Sequence, residues 1–156
     1  MFSISLQERD FDPAALEAAL FSGAADIGAI VCFTGYVRPD PERPEFEGLE
    51  LEHYAGMTES SIEACLSEAA SRWPLSGVRV VHRVGPLALA ERIVWVGVAS
   101  AHRSAAFAAC EYIMDILKTT VPLWKRELGV PGEPWVEMRE RDIARAARWN
   151  RNVYDD

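Results

Sequence analysis

Lysine is scarce in this chain, and its two copies lie close together. The 156 residues include 16 basic ones, of which only Lys118 and Lys125 are lysines. A desolvated lysine ammonium can lose its proton, whereas an arginine guanidinium in effect cannot. General acid–base chemistry and covalent capture of a carbonyl both need that property. The two lysines lie seven residues apart, about two helical turns, so both side chains could face one way. The alternative is that two lysines remain by chance in an arginine-rich composition.

A possible anion site lies at residues 100–104, where a predicted central strand gives way to the longest predicted helix. The free N–H groups at a helix N-terminus attract anions. Arg103 adds a fork of donors suited to phosphate, and His102 lies beside it. The alternative is an ordinary helix start with a surface arginine.

A weaker candidate is the strand end at residues 34–38, where Gly35 allows close backbone approach and Arg38 begins a loop. Residues 38–47 of that loop contain three prolines and mostly charged residues, so we expect a mobile surface loop that acts as a lid. Arg139, beyond the last predicted strand, is a further cationic candidate.

Other chemistries find little support. Neither the three cysteines nor the three histidines show metal-ligand spacing, so we expect no metal, and Cys32, Cys65 and Cys110 are predicted to be buried core thiols. No glycine-rich turn follows a strand, which excludes a nucleotide-binding fingerprint. The net charge of −8 argues against general nucleic-acid binding. No apolar run reaches the roughly 18 residues of a membrane span, and no signal peptide is evident, so we expect a cytoplasmic protein of one domain, residues 1–156.

The elements that position these residues alternate irregularly between strand and helix. Apolar alternation or apolar runs predict strands, at residues 2–6, 27–37, 49–54, 78–84, 93–99 and 135–138. Helical spacing and capping signals predict helices, at residues 13–21, from Thr58 or from a Ser60/Glu63 capping box to before Pro74, at 102–118 and at 142–149. The apolar stripe of the 102–118 helix is Phe107, Cys110, Ile113, Met114 and Leu117.

Two connections complete the predicted order of elements. Residues 123–128 are expected to resume as a helical turn, and Gly85-Pro86 to start a connection. The predicted class is α+β, with a mixed, mostly antiparallel sheet and helices packed on it.

Five segments together resemble the large, catalytic subunit of molybdopterin synthase. They are GAIVCFTGYVR at 28–38, LEHYAGMTE at 51–59, SAHR at 100–103, DILKTTVPLWKRE at 115–127 and WVE at 135–137. Tyr36 stands where that family often has a lysine, Ala55 where it usually has a proline, and Ala90 where it tends to have a turn glycine.

The resemblance implies an α/β-hammerhead fold and a sulfurtransferase. Such an enzyme converts cyclic pyranopterin monophosphate to molybdopterin by inserting two sulfurs as a dithiolene. The sulfur arrives as a thiocarboxylate on the C-terminal Gly-Gly of a small ubiquitin-like partner, whose tail enters a pocket of the large subunit. Two large subunits form a central homodimer in a heterotetramer, and no cofactor is implied.

The resemblance also assigns roles to residues. Lys118 is the expected group at the reaction centre, and Lys125 is the second catalytic candidate. The expected substrate-binding residues are Tyr36, Val37, Arg38, His102, Arg103, Lys118, Lys125, Arg126, Glu127 and Arg139. A non-catalytic adaptor that docks a ubiquitin-like sulfur carrier remains an alternative, as does an unrelated phosphate-binding module. Only the enzyme needs both lysines together with the candidate anion-binding residues Arg38, His102 and Arg103.

Overall fold

The computed structural model describes residues 1–150, which form seven strands, four α-helices and a final 3-10 turn. The strands are β1 Phe2–Gln7, β2 Ala29–Tyr36, β3 Gly48–His53, β4 Gly77–Arg83, β5 Gly85–Ala88, β6 Arg92–Ser100 and β7 Leu123–Leu128. The helices are α1 Pro13–Gly23, α2 Met57–Arg72, α3 Arg103–Thr119 and α4 Glu140–Ala147, followed by the 3-10 turn Arg148–Asn150. The predicted domain of residues 1–156 extends past this described part. None of the helices within residues 1–150 is long and apolar enough to cross a membrane.

A four-stranded sheet in the order β1-β4-β6-β2 forms the centre of the molecule. β1 pairs with β4 in parallel, whereas β4 with β6 and β6 with β2 are antiparallel. β6 is central, as its apolar residues on both faces predict, and its residues from Val94 to Ser100 are buried. The predicted α+β class with a mixed, mostly antiparallel sheet is confirmed.

A second sheet, β5-β3-β7, is antiparallel throughout and corrects two predictions. Residues 123–128 are a strand rather than a helical turn, because their backbone pairs with β3 from Gly48 to His53. Gly85 and Pro86 belong to a strand rather than a connection. Pro86 is tolerated there because β5 lies at the edge of the sheet.

The start of α1 agrees with the sequence prediction, whereas the start of α2 differs from it. The Asp12 carboxylate accepts hydrogen bonds from Ala14 N and Ala15 N at 2.9 and 3.4 Å, so Asp12 is the N-cap of α1 and Pro13 its first residue. The predicted Ser60/Glu63 capping box is wrong. α2 starts one turn earlier, where Glu59 Oε2 accepts a hydrogen bond from Gly56 N at 2.7 Å.

α3 runs back across β6 and β2 and contributes most of its apolar face to the main core. Cys110, Ile113 and Leu117 are buried, as predicted, but Phe107 is 63% exposed. The residues of α3 buried at its sheet-facing side include the small Ala105, Ala106 and Ala109. The predicted position of Phe107 in the stripe is therefore wrong.

The cysteines divide differently from the prediction. Cys65 and Cys110 are buried, as expected, whereas Cys32 is exposed. Cys32 lies on β2, an edge strand that pairs only with β6 among the described strands. An edge position leaves part of the strand uncovered, which an apolar run in the sequence does not reveal.

Ala90 adopts a left-handed backbone conformation in the turn between β5 and β6. Its φ is 67°, in the region that favours glycine. Ala90 N donates to Val37 O at 2.8 Å, which ties the turn to the end of β2. The turn thus has the left-handed backbone conformation that favours glycine, although the residue there is Ala90.

Candidate functional site

Lys118 and Lys125 meet at the turn between α3 and β7. α3 ends at Thr119 and β7 begins at Leu123, so the chain reverses between the two lysines. The Lys118 side chain is exposed, Lys125 is partly buried, and the two side chains are in contact. The structure brings the two lysines together through a helix-to-strand turn rather than through two turns of one helix.

Burial against a second cation makes Lys125 a group that can exchange protons. Its pKa falls from 10.5 to about 8, first because burial removes water from the ammonium, and then because of the positive charge and side-chain contact of Lys118. Asp142 partly opposes this shift and Arg139 adds to it. Near pH 8 Lys125 can therefore donate or accept a proton, and Lys118 can donate a hydrogen bond to its neutral form.

His82, to which the sequence analysis assigned no role, lies within range of the positive charges of both lysines. It lies on β4, paired with Val94, and is 5% exposed. His82 Nδ1 lies 2.8 Å from Arg83 O, so this nitrogen carries the proton and donates it to the carbonyl. Burial lowers the pKa of His82 to about 4; the Arg83 carbonyl opposes the shift, and the charges of both lysines add to it. The signal in the sequence was an imidazole in the apolar alternation of β4.

The end of β2 lies at this same end of the central sheet. Tyr36 pairs with Arg92 at the start of β6, and Gly35 pairs with Val94, the residue that also pairs with His82. Tyr36 is 54% exposed and Arg38 is exposed, so both can face a ligand. Val37 is 1% exposed and packs in a cluster with Phe46, Leu51 and Leu87. Its side chain therefore belongs to the core, and the contact of Val37 with substrate stays a prediction that this burial does not favour.

Arg126 and Glu127 are held in ion pairs within the protein. Arg126 pairs with Glu50 on β3 and lies over the Trp135 ring, 5.6 Å from its centroid. Glu127 accepts two hydrogen bonds from Arg43. Both side chains thus hold neighbouring elements beside Lys125, and their direct contact with substrate stays a prediction.

Arg139 reaches the lysine pair through a segment that follows β7. Only a bridge between Arg126 and Trp135 forms where residues 135–138 were predicted to be a strand. Val136 N donates to Lys125 O at 2.7 Å, and Arg139 is the N-cap of α4 three residues later. The charge of Arg139 lowers the pKa of Lys125, and its contact with an anionic substrate stays a prediction.

His102 and Arg103 lie at the other end of α3. His102 is the N-cap of that helix and Arg103 its first residue, and both are exposed. At 1.5 Å per residue, α3 separates Arg103 from Lys118 by about 22 Å. The predicted cluster of His102 and Arg103 with the lysines and Arg38 is therefore not formed within one chain.

An open groove of about 620 Å³ adjoins the turn that carries the lysines. Thr120 and Pro122 form one wall, and the start of α2 forms the other. Met57, at this start, is 65% exposed. The groove offers space for an extended chain or a small ligand beside a cluster that can bind an anion and move a proton.

Comparison with known proteins identifies the relatives of this chain. The MoaE protein family matches residues 6–120. The molybdopterin synthase catalytic subunit of Vibrio cholerae is 48% identical, over 94% of this chain and 97% of its own length. A molybdopterin biosynthesis MoaE protein from Burkholderia ambifaria has a solved structure with a TM-score of 0.82 and 44% identity, covering 97% of this chain and 100% of that one. The crystal structure of molybdopterin synthase from Staphylococcus aureus has a TM-score of 0.76 and 30% identity, covering 85% and 96%.

These relatives confirm the family predicted from the five motifs. The first of them is named as a catalytic subunit, which favours the enzyme over the non-catalytic adaptor. The matched range includes the strand end at Arg38, the start of α3 and Lys118. With most of its length matched, this chain belongs to the MoaE protein family.

Proposed function

We propose that this chain is the catalytic subunit of a molybdopterin synthase, a sulfurtransferase of molybdenum cofactor biosynthesis. Its substrate is cyclic pyranopterin monophosphate, into which two sulfurs are inserted as a dithiolene. Family membership supports the activity. The observation that carries the site assignment is the contact between partly buried Lys125 and exposed Lys118.

The lysine pair supplies protons in this reaction. Replacing a side-chain oxygen of the substrate by sulfur requires proton donation to the departing oxygen, and a protonated lysine provides it. Lys118 is exposed and able to meet the substrate, so we place it at the reaction centre. Lys125 supports it, because its pKa of about 8 lets it return a proton near neutral pH.

The sulfur comes from outside the chain. The pKa of Cys65 and that of Cys110 are raised to about 12, in both cases first by burial. The Cys32 residue is exposed, but partial desolvation of its thiol and then the charge of Glu17 raise its pKa to about 11. A thiol that stays protonated at neutral pH is a poor carrier of persulfide sulfur. A thiocarboxylate on the C-terminal tail of a small ubiquitin-like partner supplies it instead, and the groove beside Thr120 and Pro122 gives that tail an approach.

The anionic substrate is held by cations from two copies of the chain. The charge of Arg139 acts on Lys125 and Arg38 follows the end of β2, whereas His102 and Arg103 lie about 22 Å from Lys118 along α3. All four can act on one substrate only where a second copy brings its helix start to the first copy's lysines. A central homodimer within a heterotetramer provides that arrangement. We place this assembly in the cytoplasm, with residues 1–156 of each copy as one domain.

A reconstitution assay tests the proposal. The chain is mixed with thiocarboxylated partner and cyclic pyranopterin monophosphate, and molybdopterin is measured. We expect two-sulfur product with the wild type and none when the partner carries an ordinary carboxylate. Partner binding without molybdopterin would contradict the enzyme and support the adaptor.

A further inference from the structure

A buried carboxylate on α3 collects hydrogen bonds from the C-terminal part of the described chain. Asp115 is 8% exposed and lies one turn before Lys118. It accepts from Trp149 Nε1 at 2.8 Å, from Arg148 Nη2 at 3.1 Å and from Arg145 Nε at 3.5 Å. A buried charge is costly unless it is paired, so Asp115 favours the docked position of these three donors.

Aromatic packing strengthens the same contact. Trp149 meets Trp73 and Tyr112 edge to face, with ring centroids 5.6 and 5.5 Å apart. Arg72 lies over the Tyr112 ring and donates to Trp149 O at 2.7 Å. The 3-10 turn is thereby fixed to α2 as well as to α3.

The segment of residues 136–139 leads into α4, and its first residue is hydrogen-bonded to the backbone of Lys125. Val136 N donates to Lys125 O at 2.7 Å. From there the chain passes through Arg139 into α4, whose C-terminal end is tied to Asp115. Arg139 and Asp142 lie between these two anchors, and the charges of both act on Lys125.

We infer that Asp115 is a positioning residue: by holding α4 and the 3-10 turn on α3, it keeps Arg139 and Asp142 beside the lysine pair. The effect on substrate rests on the proposed function, in which Arg139 contacts the anion. The effect on Lys125 does not depend on that function, because it concerns only the charges that lie near this side chain.

Three variants separate the role of Asp115 from that of its surroundings. Asp115→Asn removes the charge and keeps the shape. Trp149→Phe keeps the aromatic ring and removes the N–H donor. Glu111→Gln is the matched control, because Glu111 binds the same Arg145 and Arg148 at 2.5 and 2.8 Å but is exposed to solvent.

The first measurement is the NMR titration of lysine labelled with 13C at Cε, in which the two lysines of the chain give two side-chain signals. We expect Asp115→Asn to lower the Lys125 midpoint, because a displaced α4 takes away Asp142, whose charge raises the pKa of Lys125 more than Arg139 lowers it. Trp149→Phe should shift it less in the same direction, and Glu111→Gln should leave it in place. Trp149→Phe decides the outcome should Asp115→Asn not fold.

The second measurement is steady-state kinetics of the reconstituted synthase. We expect Asp115→Asn to raise the KM for cyclic pyranopterin monophosphate about tenfold, the loss of one charged contact, with kcat little changed. An unchanged Lys125 midpoint in both variants overturns the inference, and so does a shifted midpoint with an unaltered KM. If even the wild type makes no molybdopterin, the proposed function fails, and the titration alone decides the role of Asp115.

Discussion

Arg43 and Glu127 form a two-pronged ion pair that joins the loop after β2 to the strand that carries Lys125. Arg43 Nη1 and Nη2 donate to the two Glu127 carboxylate oxygens at 3.0 and 2.6 Å, and Arg43 Nε donates to Asp40 at 2.8 Å. Phe46, three residues later, is buried. The loop predicted to be a mobile lid therefore has a specific closing contact, and its mobility remains a prediction.

Hydrogen exchange across residues 38–47 tests the lid. We expect protection to increase when partner and substrate bind, because a closed loop excludes water from a half-sulfurated intermediate. Arg43→Gln should reduce that protection, whereas Arg9→Gln, at an exposed site elsewhere, should not. Equal protection in the free, partner-bound and fully loaded states would show a rigid loop.

Lys118→Ala should abolish dithiolene formation while leaving the fold and partner binding nearly intact. Loss of general acid–base catalysis costs typically 10²- to 10⁴-fold in rate and appears in kcat rather than in binding. Lys118→Arg should fail almost as badly, since it keeps the charge but not the exchangeable proton. Turnover and calorimetric partner binding measure the two effects, and near-normal turnover in either variant would refute the assignment.

Lys125→Met should stabilise the protein at pH 7. The pKa of Lys125 is 10.5 in the unfolded chain and about 8 in the fold, so the unfolded state binds more protons between these values. Wild-type stability therefore rises with pH through this window, and the penalty below pH 8 is up to about 3 kcal/mol. Urea unfolding should show a gain at pH 7 that shrinks towards pH 10.5. Arg9→Met, at an exposed site elsewhere, is the control, and a gain independent of pH would contradict the burial of a charge.

Ala90→Gly should stabilise the protein by up to about 1 kcal/mol. A left-handed conformation costs an L-residue about 1–2 kcal/mol, which exceeds the extra chain entropy that glycine loses on folding. Thermal unfolding measures the gain, and Ala88→Gly in β5 should destabilise by comparison. A lower melting temperature for Ala90→Gly would show that the turn is not strained.

Local signals in the sequence were enough to predict those helices and strands whose position is determined by residues within or next to the element. Asp12 before Pro13 marks the start of α1, and Pro74 follows the end of α2. The apolar run of β6 correctly predicts a strand buried on both faces. In each case the determining interaction lies within a few residues of the element.

Distant partners decided the features that the sequence did not reveal. β7 is a strand because β3, more than 70 residues earlier, offers it a hydrogen-bonding edge. Cys32 is exposed because β2 ends up at the margin of its sheet. The separation of Arg103 from Lys118 follows from the direction of α3, which a motif match does not contain. Tertiary packing brings His82 within range of the charges of the two lysines.

The length of α3 also bears on genetics. Lys118→Ala and Arg103→Ala place their defects at opposite ends of one helix. Consider a dimer of one copy with Lys118→Ala and one copy with Arg103→Ala, in which each site combines the lysines of one copy with Arg103 of the other. One of its two sites then carries both substitutions, and the other carries neither. Two alleles that are each null alone should then complement when co-expressed, restoring up to one working centre per dimer. Molybdopterin production in cells carrying both alleles measures this, and a site built wholly within one copy would leave the pair as inactive as either parent.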